Sequence, residues 1–468
     1  DVRWRLATGS PSPDGRWIAA LREDARGVHC LSLPDYSRPV PPLRSVPYPK
    51  AGGALPEVSL ALFDAETGER SDVALDHGLR AATDGERARA GFYAWLVGWD
   101  PGGALRVLRM TRDGRRVDLL AVAPSEGPDG TAATVRSILR EDCSTNFGGL
   151  ALVLGGWADV VTPLANGRFL WRSERDGWAH LYLYSRDGEP LGRVTRGAFP
   201  VHAVEHVAGP DGPRGGSASA EGDPYERHLY RVALAGGELE RLTPEPGVHR
   251  VSFSPSGTHY VDVHSSVARP YTAELRRADG TLVGVLSRAD VSGIDALDLP
   301  APEPFTALAA DGETVLHGVL YRPAGLDMDA APGRRWPVID LIYAGPWLAV
   351  APHAYFGEAG MDDQARALAA LGFAVFMVDA RGTPGRSKAF QDAAHGAIGT
   401  VEVADHVAVL GALAREHAWI DAERAGIVGA SWGGYFVLRA MFTAPGAFRA
   451  GAAFAPGDLW EEAAINEP

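Results

Sequence analysis

The segment Gly429–Gly433 constrains the fold of this chain more than any other part of the sequence. It reads Gly-Ala-Ser-Trp-Gly and fits the pattern Gly-x-Ser-x-Gly. The apolar stretch Gly426–Gly429 predicts a buried strand before the serine, and Tyr435–Phe442 predicts a buried helix after it. A turn between such elements exposes the hydroxyl of Ser431, and glycines beside it let the helix start close against the strand. A glycine-rich turn in some other α/β unit is the alternative, and the rest of the sequence has to decide between them.

Residues 301–468 supply the surroundings that this serine motif needs, because short apolar strands alternate there with helices. An extended linker at Pro302–Pro304 and a hairpin of Phe305–Ala309 and Val315–Tyr321 lead into this region. The strands that we predict after them are Pro337–Tyr343, Phe373–Asp379 and Phe448–Phe454. The predicted helices are Asp362–Leu371 and Val401–His417, with a turn at Asp421–Arg424. Strands that are apolar throughout indicate a parallel sheet covered on both faces.

Residues 1–300 show a different pattern, in which short β-branched or aromatic strands are separated by turn sequences. The turns are Pro13–Gly15, Glu66–Gly68, Arg112–Gly114, Arg175–Gly177, Arg186–Gly188, Ala235–Gly237, Pro255–Gly257 and Ala278–Gly280. Asp-Gly and Gly-Gly pairs favour tight hairpins in which both central residues take positive φ. We predict an exposed loop, and no domain boundary, at 211–224, which is rich in Gly, Ser, Ala and Pro.

Two of these strand groups carry the same phrase. His180–Tyr184 is followed by Arg193–Thr195, and His228–Val232 is followed by Arg241–Thr243. A phrase that recurs after about 40–50 residues is typical of β-propeller blades. A β-sandwich is the alternative, but sandwiches rarely repeat a phrase at that spacing. The sequence therefore predicts propeller blades at 1–300 followed by an α/β domain at 301–468.

Composition excludes several classes of protein. The chain has 468 residues and a net charge of −14, without any run of Lys and Arg, which argues against nucleic acid as a partner. Its best apolar stretch, Leu150–Val161, is too short to span a membrane and contains glycines and an aspartate. Cys30 and Cys143 are the only cysteines and the histidines are scattered, so we expect no metal site and no cofactor. We expect a soluble protein; the sequence leaves the compartment open, with the cytoplasm favoured over secretion.

The serine lacks a base in the expected place. A serine hydroxyl needs a base and a group that orients this base, and in α/β-hydrolases both follow the serine in sequence. The last histidine, His417, precedes Ser431, so we predict that His395, His406 and His417 are structural or surface residues. The sequence does offer hydrogen-bond donors for the oxyanion that develops on the substrate carbonyl. They are the backbone N–H of Trp432 and, at the end of a predicted strand, the hydroxyl of Tyr343.

Three motifs, Leu341–Pro346, Asp379–Gly385 and Gly429–Tyr435, together resemble the prolyl oligopeptidase superfamily, and most closely its dipeptidyl peptidase IV branch. Val46–Gly52 and Ser173–Tyr184 resemble phrases of that branch's propeller. The resemblance implies an eight-bladed propeller and an α/β-hydrolase domain, with peptides hydrolysed in the cavity between them.

The same resemblance implies roles for individual residues. Ser431 is the expected nucleophile, the Tyr343 hydroxyl and the Trp432 amide form the expected oxyanion hole, and Trp460 lies beside the pocket that accepts proline. The family's catalytic Asp and His are expected beyond Pro468, and its amino-terminus-binding glutamates before the first residue, so we expect a chain that is incomplete at both ends. Trp432 stands where many relatives have Tyr or Phe, and the tyrosines usual after Trp460 are missing.

The function predicted from the sequence is therefore that of a serine peptidase acting on peptides, which releases amino-terminal dipeptides with Pro or Ala at the second position. An acylaminoacyl peptidase or oligopeptidase of the same superfamily is one alternative. A non-catalytic binding protein is another, since no base follows Ser431 in this sequence. Because relatives are often dimers, a homodimer is one candidate assembly.

Overall fold

The computed structural model describes most of the chain. The described residues are 2–6, 10–50, 53–76, 91–124, 133–145, 160–208, 214–219 (backbone only), 223–325, 333–351, 353–355 and 361–457. Their contacts define two compact units, one with the described residues up to Ser173 together with Tyr182–Gly192, and one with Glu174–Leu181 and the described residues from Arg193 onward. The domain boundary at residue 300 stays a prediction.

Three four-stranded sheets begin the described chain. The first has the order β1 (Val2–Arg5), β2 (Trp17–Asp24), β5 (Glu57–Asp64), β6 (Arg70–Val73), and β3 (Cys30–Pro34) pairs with β4 (Leu43–Pro47) as a separate hairpin. The second has the order β10 (Ala133–Asp142), β9 (Arg116–Pro124), β8 (Leu105–Thr111), β7 (Phe92–Trp99). The third has the order β11 (Val161–Pro163), β12 (Phe169–Ser173), β13 (His180–Tyr184), β14 (Pro190–Arg193).

The second sheet is buried on both faces, as the side chains of β8 show. Leu105 and Val107 belong to the apolar cluster shared with β2 and β5 of the first sheet. Leu108 and Met110 belong to the cluster that contains Trp171 of β12. Alternate side chains of a strand point to opposite faces, so this strand packs against a sheet on each side. Face-to-face stacking of four-stranded sheets is blade packing, and the propeller prediction is confirmed.

Two further groups of four strands follow. They are β15 (Val201–Val207), β16 (Arg214–Ser219), β17 (Arg227–Val232) and β18 (Glu240–Arg241), then β19 (Val248–Phe253), β20 (His259–Ser266), β21 (Arg269–Arg277) and β22 (Leu282–Arg288). A single parallel pair, Arg227 with Val248, joins the two groups. The prediction of a loop at 211–224 is wrong in part, because β16 lies within this range and pairs with β15 and β17. Pairing from both neighbours overrides the weak strand propensity of this Gly/Ser-rich segment.

The repeated sequence phrase has a structural reason. Oγ1 of Thr195 accepts the N–H of Leu181 at 3.0 Å and lies 3.0 Å from Nδ1 of the buried His180. Thr243 makes the same two contacts one blade later, at 3.0 and 3.1 Å. The Arg-x-Thr sequence therefore ends each of these blades by satisfying a buried N–H and a buried imidazole with one hydroxyl.

The geometry predicted for the turns holds at the Gly-Gly turn and fails at the Asp-Gly turns. Gly236 and Gly237 both have positive φ, 80° and 130°, whereas in the Asp-Gly turns only the glycine does, as at Gly188 with 90°. Gly188 donates to the carbonyl of Ser185 at 3.1 Å, and Ser185 donates to that of Glu189 at 2.8 Å. This is a turn of ordinary handedness followed by one left-handed glycine, which needs positive φ only at the glycine.

The last sheet has the order β23 (Glu303–Leu308), β24 (Val315–Tyr321), β26 (Ala374–Val378), β25 (Trp336–Leu341), β27 (Ile420–Ala430), β28 (Ala450–Phe454). The described helices are α1 (Ser292–Asp295), α2 (Asp362–Ala370), α3 (Lys388–Asp392), α4 (Val401–Glu416) and α5 (Trp432–Thr443). The last four strands in the sheet order are parallel to one another. The order and the helices between these strands confirm the α/β-hydrolase prediction. None of the described helices has the length and apolar character to cross a membrane.

Three predictions in this region need correction. The expected linker Pro302–Pro304 already enters β23, which begins at Glu303. The expected turn Asp421–Arg424 lies inside β27, as a bulge where the register with β25 shifts. The expected core strand Phe448–Phe454 begins at Ala450 and is exposed, since among the described strands it pairs with β27 alone.

Candidate active site

Ser431 occupies the turn between β27 and α5, as predicted. Its φ of 56° and ψ of −119° place it outside the regions that residues with side chains normally adopt. Its N–H donates to the carbonyl of Phe454 at 2.9 Å, and its carbonyl accepts the N–H of Tyr435 at 3.1 Å. Such a conformation costs about 1–3 kcal/mol and persists where the surroundings impose it. The result is an exposed serine at the carboxyl edge of the sheet.

The flanking glycines allow this turn for the steric reason inferred from the sequence. A Cβ on Gly429 would lie 2.6 Å from the carbonyl oxygens of Ile342 and Gly433. A Cβ on Gly433 would lie 2.2 Å from the same oxygen of Ile342. The helix therefore begins in direct contact with the end of the neighbouring strand, at a distance that only glycine permits.

Tyr343 begins the loop after β25, at the same edge. The N–H of Ile342 still donates to the carbonyl of Val428 at 2.9 Å, so the sheet holds the chain up to the residue before Tyr343. The next residue, Ala344, is buried and has a positive φ of 51°. Burial raises the pKa of Tyr343, which keeps its phenol protonated and able to donate a hydrogen bond.

The indole of Trp432 lies against this loop. A Cβ on Gly345 would be 2.8 Å from Cγ of Trp432, and the rings of Trp347 and Trp432 meet edge-on with centroids 5.9 Å apart. Tyr435 and Phe436, on the same helix as Trp432, also pack against the indole, with ring centroids 5.8 and 6.0 Å from it. The structure thus brings the Tyr343 segment and the Trp432 segment together. Trp460 lies outside the described residues, and the chemical roles predicted for all of these residues stay predictions.

His406 is a buried structural residue, which is one of the two outcomes that the sequence led us to expect. It is buried, and its Nδ1 lies 2.8 Å from Oδ2 of the buried Asp340 on β25. Burial alone would lower the pKa of His406, but the charge and hydrogen bond of Asp340 outweigh burial and raise it. The pair ties α4 to the sheet.

The sequence reasoning assigned no individual role to two buried carboxylates. Asp379, directly after β26, accepts the N–H groups of Val350 and Ala351 at 2.7 and 3.0 Å, and burial raises its pKa to about 6. Glu402, in the first turn of α4, accepts the N–H of Gly399 at 2.9 Å, and burial raises its pKa to about 7. An acid directly after a buried strand was the signal that could have drawn attention to Asp379, because such positions lie at the functional edge of a parallel sheet.

One group of side chains in the propeller has ligand types suited to a metal. The ligand atoms of Glu245, His264 and Glu274 lie within 4.8 Å of one another. Arg276 already contacts both carboxylates, with Nη2 at 2.6 Å from Glu274 and 3.1 Å from Glu245. The chain's own guanidinium thus supplies the positive charge there, and a metal would have to displace it.

Two family profiles match the chain. The profile of the dipeptidyl peptidase IV (DPP IV) N-terminal region matches residues 11–271, which is more than half of the chain. The profile of the prolyl oligopeptidase family matches residues 360–465, which include Ser431.

Individual relatives align along half of the chain or more. "Probable dipeptidyl peptidase 4" of Aspergillus fumigatus is 28% identical over 480 residues, which cover 96% of this chain and 57% of that relative. "Dipeptidyl peptidase 8" of Mus musculus is 30% identical over 245 residues, which cover 51% of this chain and 27% of that relative. The crystal structure of Porphyromonas gingivalis dipeptidyl peptidase 4 matches with a TM-score of 0.83 at 25% identity, over 98% of this chain and 63% of that one. The chain therefore spans 57% of the length of the first of these relatives.

Proposed function

The chain belongs to the dipeptidyl peptidase IV branch of the prolyl oligopeptidase superfamily, and we propose that the protein is a serine peptidase that releases dipeptides from the amino termini of peptides. One observation carries this proposal. Ser431 is held in a strained, exposed turn that packs directly against the segment bearing Tyr343. A serine with no chemical task gains nothing from such a conformation, whereas a nucleophile has to reach a substrate from it.

In the proposed reaction, Oγ of Ser431 attacks the carbonyl carbon of the scissile peptide bond. The carbonyl oxygen becomes negative, and the Tyr343 hydroxyl and the Trp432 N–H donate hydrogen bonds to it. Each such donor is worth about 3–4 kcal/mol of transition-state stabilisation. Collapse of this intermediate expels the amine of the shortened peptide and leaves the dipeptide as an ester on Ser431, which water then hydrolyses. A general base takes the proton of the serine hydroxyl in the first step and returns it to the departing amine.

We propose Pro or Ala at the second position of the released dipeptide, with Trp460 against that side chain. The names of the matched relatives support a dipeptidyl peptidase. An acylaminoacyl peptidase or oligopeptidase would use the same nucleophile, so the free amino terminus of the substrate is what distinguishes these activities.

The test uses the complete protein expressed from its whole gene. A fluorophosphonate probe should label wild-type protein and should not label Ser431→Ala, while Ser256→Ala, a change in a propeller turn, should leave labelling intact. Chromogenic Gly-Pro and Ala-Pro substrates should be cleaved, and the same substrates with an acetylated amino terminus should not be. Folded wild-type protein that resists the probe would contradict the proposal and favour a non-catalytic binding protein. Preference for the acetylated substrates would favour an acylaminoacyl peptidase.

A further inference from the structure

The loop of residues 343–351, here called the Tyr343 loop, contains no helix or strand. Its first half packs against the turn that holds Ser431, because Gly345 and Trp347 contact the indole of Trp432. It also contains the strained residue Ala344. A strained loop keeps one conformation only when its surroundings fix it at more than one point. The second fixed point therefore matters for where the Tyr343 hydroxyl lies.

That second point is the carboxylate of Asp379. Oδ1 accepts the N–H of Val350 at 2.7 Å, and Oδ2 accepts the N–H of Ala351 at 3.0 Å. Asp379 itself follows directly on β26 and is fully buried. Hydrogen bonds from N–H groups to an ionised carboxylate are about twice as strong as neutral ones. The far end of the Tyr343 loop is thus fixed to the sheet by two charge-assisted bonds from a single side chain.

The charge that this attachment requires depends on pH. Burial raises the pKa of Asp379 to about 6, although the two N–H donors, His406 on α4 and Arg386 after β26 all act to lower it. Tyr225, in the segment before β17, also faces the carboxylate and remains neutral, since its own pKa is raised well above the ordinary value. When the carboxyl is protonated, one oxygen carries a hydrogen and no longer accepts well from the N–H that faces it.

We propose that Asp379 is a positioning residue, which fixes the Tyr343 loop so that the Tyr343 hydroxyl reaches the developing oxyanion. This inference rests on the proposed function, and Asp379 acts only through Tyr343. Loss of the attachment lowers kcat with little effect on KM, because the donor is needed in the transition state and not for binding the substrate.

A double-mutant cycle on the complete protein separates this role from a general loss of stability. Asp379→Asn keeps the size of the side chain but turns an NH₂ group toward one of the two N–H donors. It should lower kcat by about 10–100-fold in the wild-type background, as expected for a misplaced donor. In the Tyr343→Phe background, where the donor is already gone, it should lower kcat less than about twofold.

Asp405→Asn is the matched control. Asp405 is also fully buried and also accepts two backbone N–H groups, from Ala310 and Arg381 at 2.9 and 3.1 Å, but these lie outside the Tyr343 loop. Its effect on kcat should be the same factor in both backgrounds. An equal factor for Asp379→Asn in both backgrounds would overturn the inference.

A second measurement does not require the Asp379 variant to fold. The ratio of kcat between wild-type protein and Tyr343→Phe is followed from about pH 5 to about pH 8, so that groups shared by both proteins cancel. The ratio should fall as the pH drops through about 6, where Asp379 takes up its proton. A constant ratio refutes the positioning role while leaving the peptidase activity established. Wild-type protein without activity or probe labelling refutes the proposed function and this inference together.

Discussion

Replacement of Gly433 by alanine tests how tightly the serine turn Gly429–Gly433 packs against the end of β25. The new Cβ would lie 2.2 Å from the carbonyl oxygen of Ile342 and 3.3 Å from Cα of Tyr343. Relief requires α5 and the end of β25 to separate by about 1 Å, and overpacking of this kind costs about 1–3 kcal/mol. The same substitution in a helix removes the conformational freedom of glycine and gains up to about 1 kcal/mol. Gly433→Ala should therefore be destabilised by up to about 3 kcal/mol.

Gly411→Ala is the control, because Gly411 also lies in a helix, α4, and its new Cβ would meet only the end of the flexible Arg415 side chain at 3.3 Å. We expect this variant to be as stable as wild type or more stable. Thermal unfolding should separate the two variants by roughly 2–4 °C for each kcal/mol. Since the displaced carbonyl directly precedes Tyr343, kcat of Gly433→Ala should also fall, by up to about 100-fold. Equal melting temperatures and equal kcat for the two variants would refute the packing argument.

Two further predictions concern buried charges. Burial raises the pKa of Glu402 from 4.5 to about 7, because the ionised carboxylate is disfavoured in the folded protein. The wild type should therefore lose stability relative to Glu402→Gln as the pH rises from 4.5 to about 7. The difference in the free energy of unfolding should change by about 2.5 kcal/mol between about pH 5 and pH 8 in urea unfolding, and a pH-independent difference would contradict this. Asp340→Asn leaves the buried His406 without its counter-charge and should cost about 3–5 kcal/mol. Because the pKa of His406 is raised, the Asp340–His406 pair stabilises the fold fully at pH values below the ordinary 6.5 of histidine, and this stabilisation is lost as the pH rises through the raised pKa. The destabilisation caused by Asp340→Asn should therefore shrink in alkaline solution. A destabilisation unchanged by pH would contradict this.

Four elements of the hydrolase domain could be predicted from the sequence to within about two residues, because each has a clear hydrophobic pattern and stop signals: Trp336–Leu341, Asp362–Ala370, Ala374–Val378 and Val401–Glu416. Asp362–Ala370 ends before Gly372, which has a φ of 93°. Others were predicted less well. β27 begins at Ile420 and not at Gly426, α5 begins at Trp432 and not at Tyr435, and α3 was not predicted. The strand Arg214–Ser219 could not be predicted in this way. Its sequence is typical of a loop, and only the strands on either side of it make it extended.

The candidate site likewise has one part that the sequence could predict and one part that it could not. The serine turn could be predicted because its five-residue pattern lies between a strand-like and a helix-like segment, which are local features of the sequence. The attachment of Val350 and Ala351 to Asp379 joins positions almost 30 residues apart, and nothing in either segment alone indicates its partner. Contacts of this kind are fixed by strand order, which the sequence pattern does not contain.

Strand order also explains where the strain of this molecule is concentrated. Among the described residues, four that are not glycine have positive φ, and three of them, Ala344, Ser431 and Ala455, directly follow β25, β27 and β28 or lie within three residues of their ends. These strands are adjacent and parallel, so their carboxyl ends meet at one edge. Each strained residue costs about 1–3 kcal/mol, and burial of the apolar side chains of β25 and β26 offsets this cost. Relaxing any one of them would favour stability and would move the segment that holds Ser431 or Tyr343. The edge is therefore where stability and catalysis should be in direct conflict, and the two hydrogen bonds that Asp379 accepts from Val350 and Ala351 act at the same place.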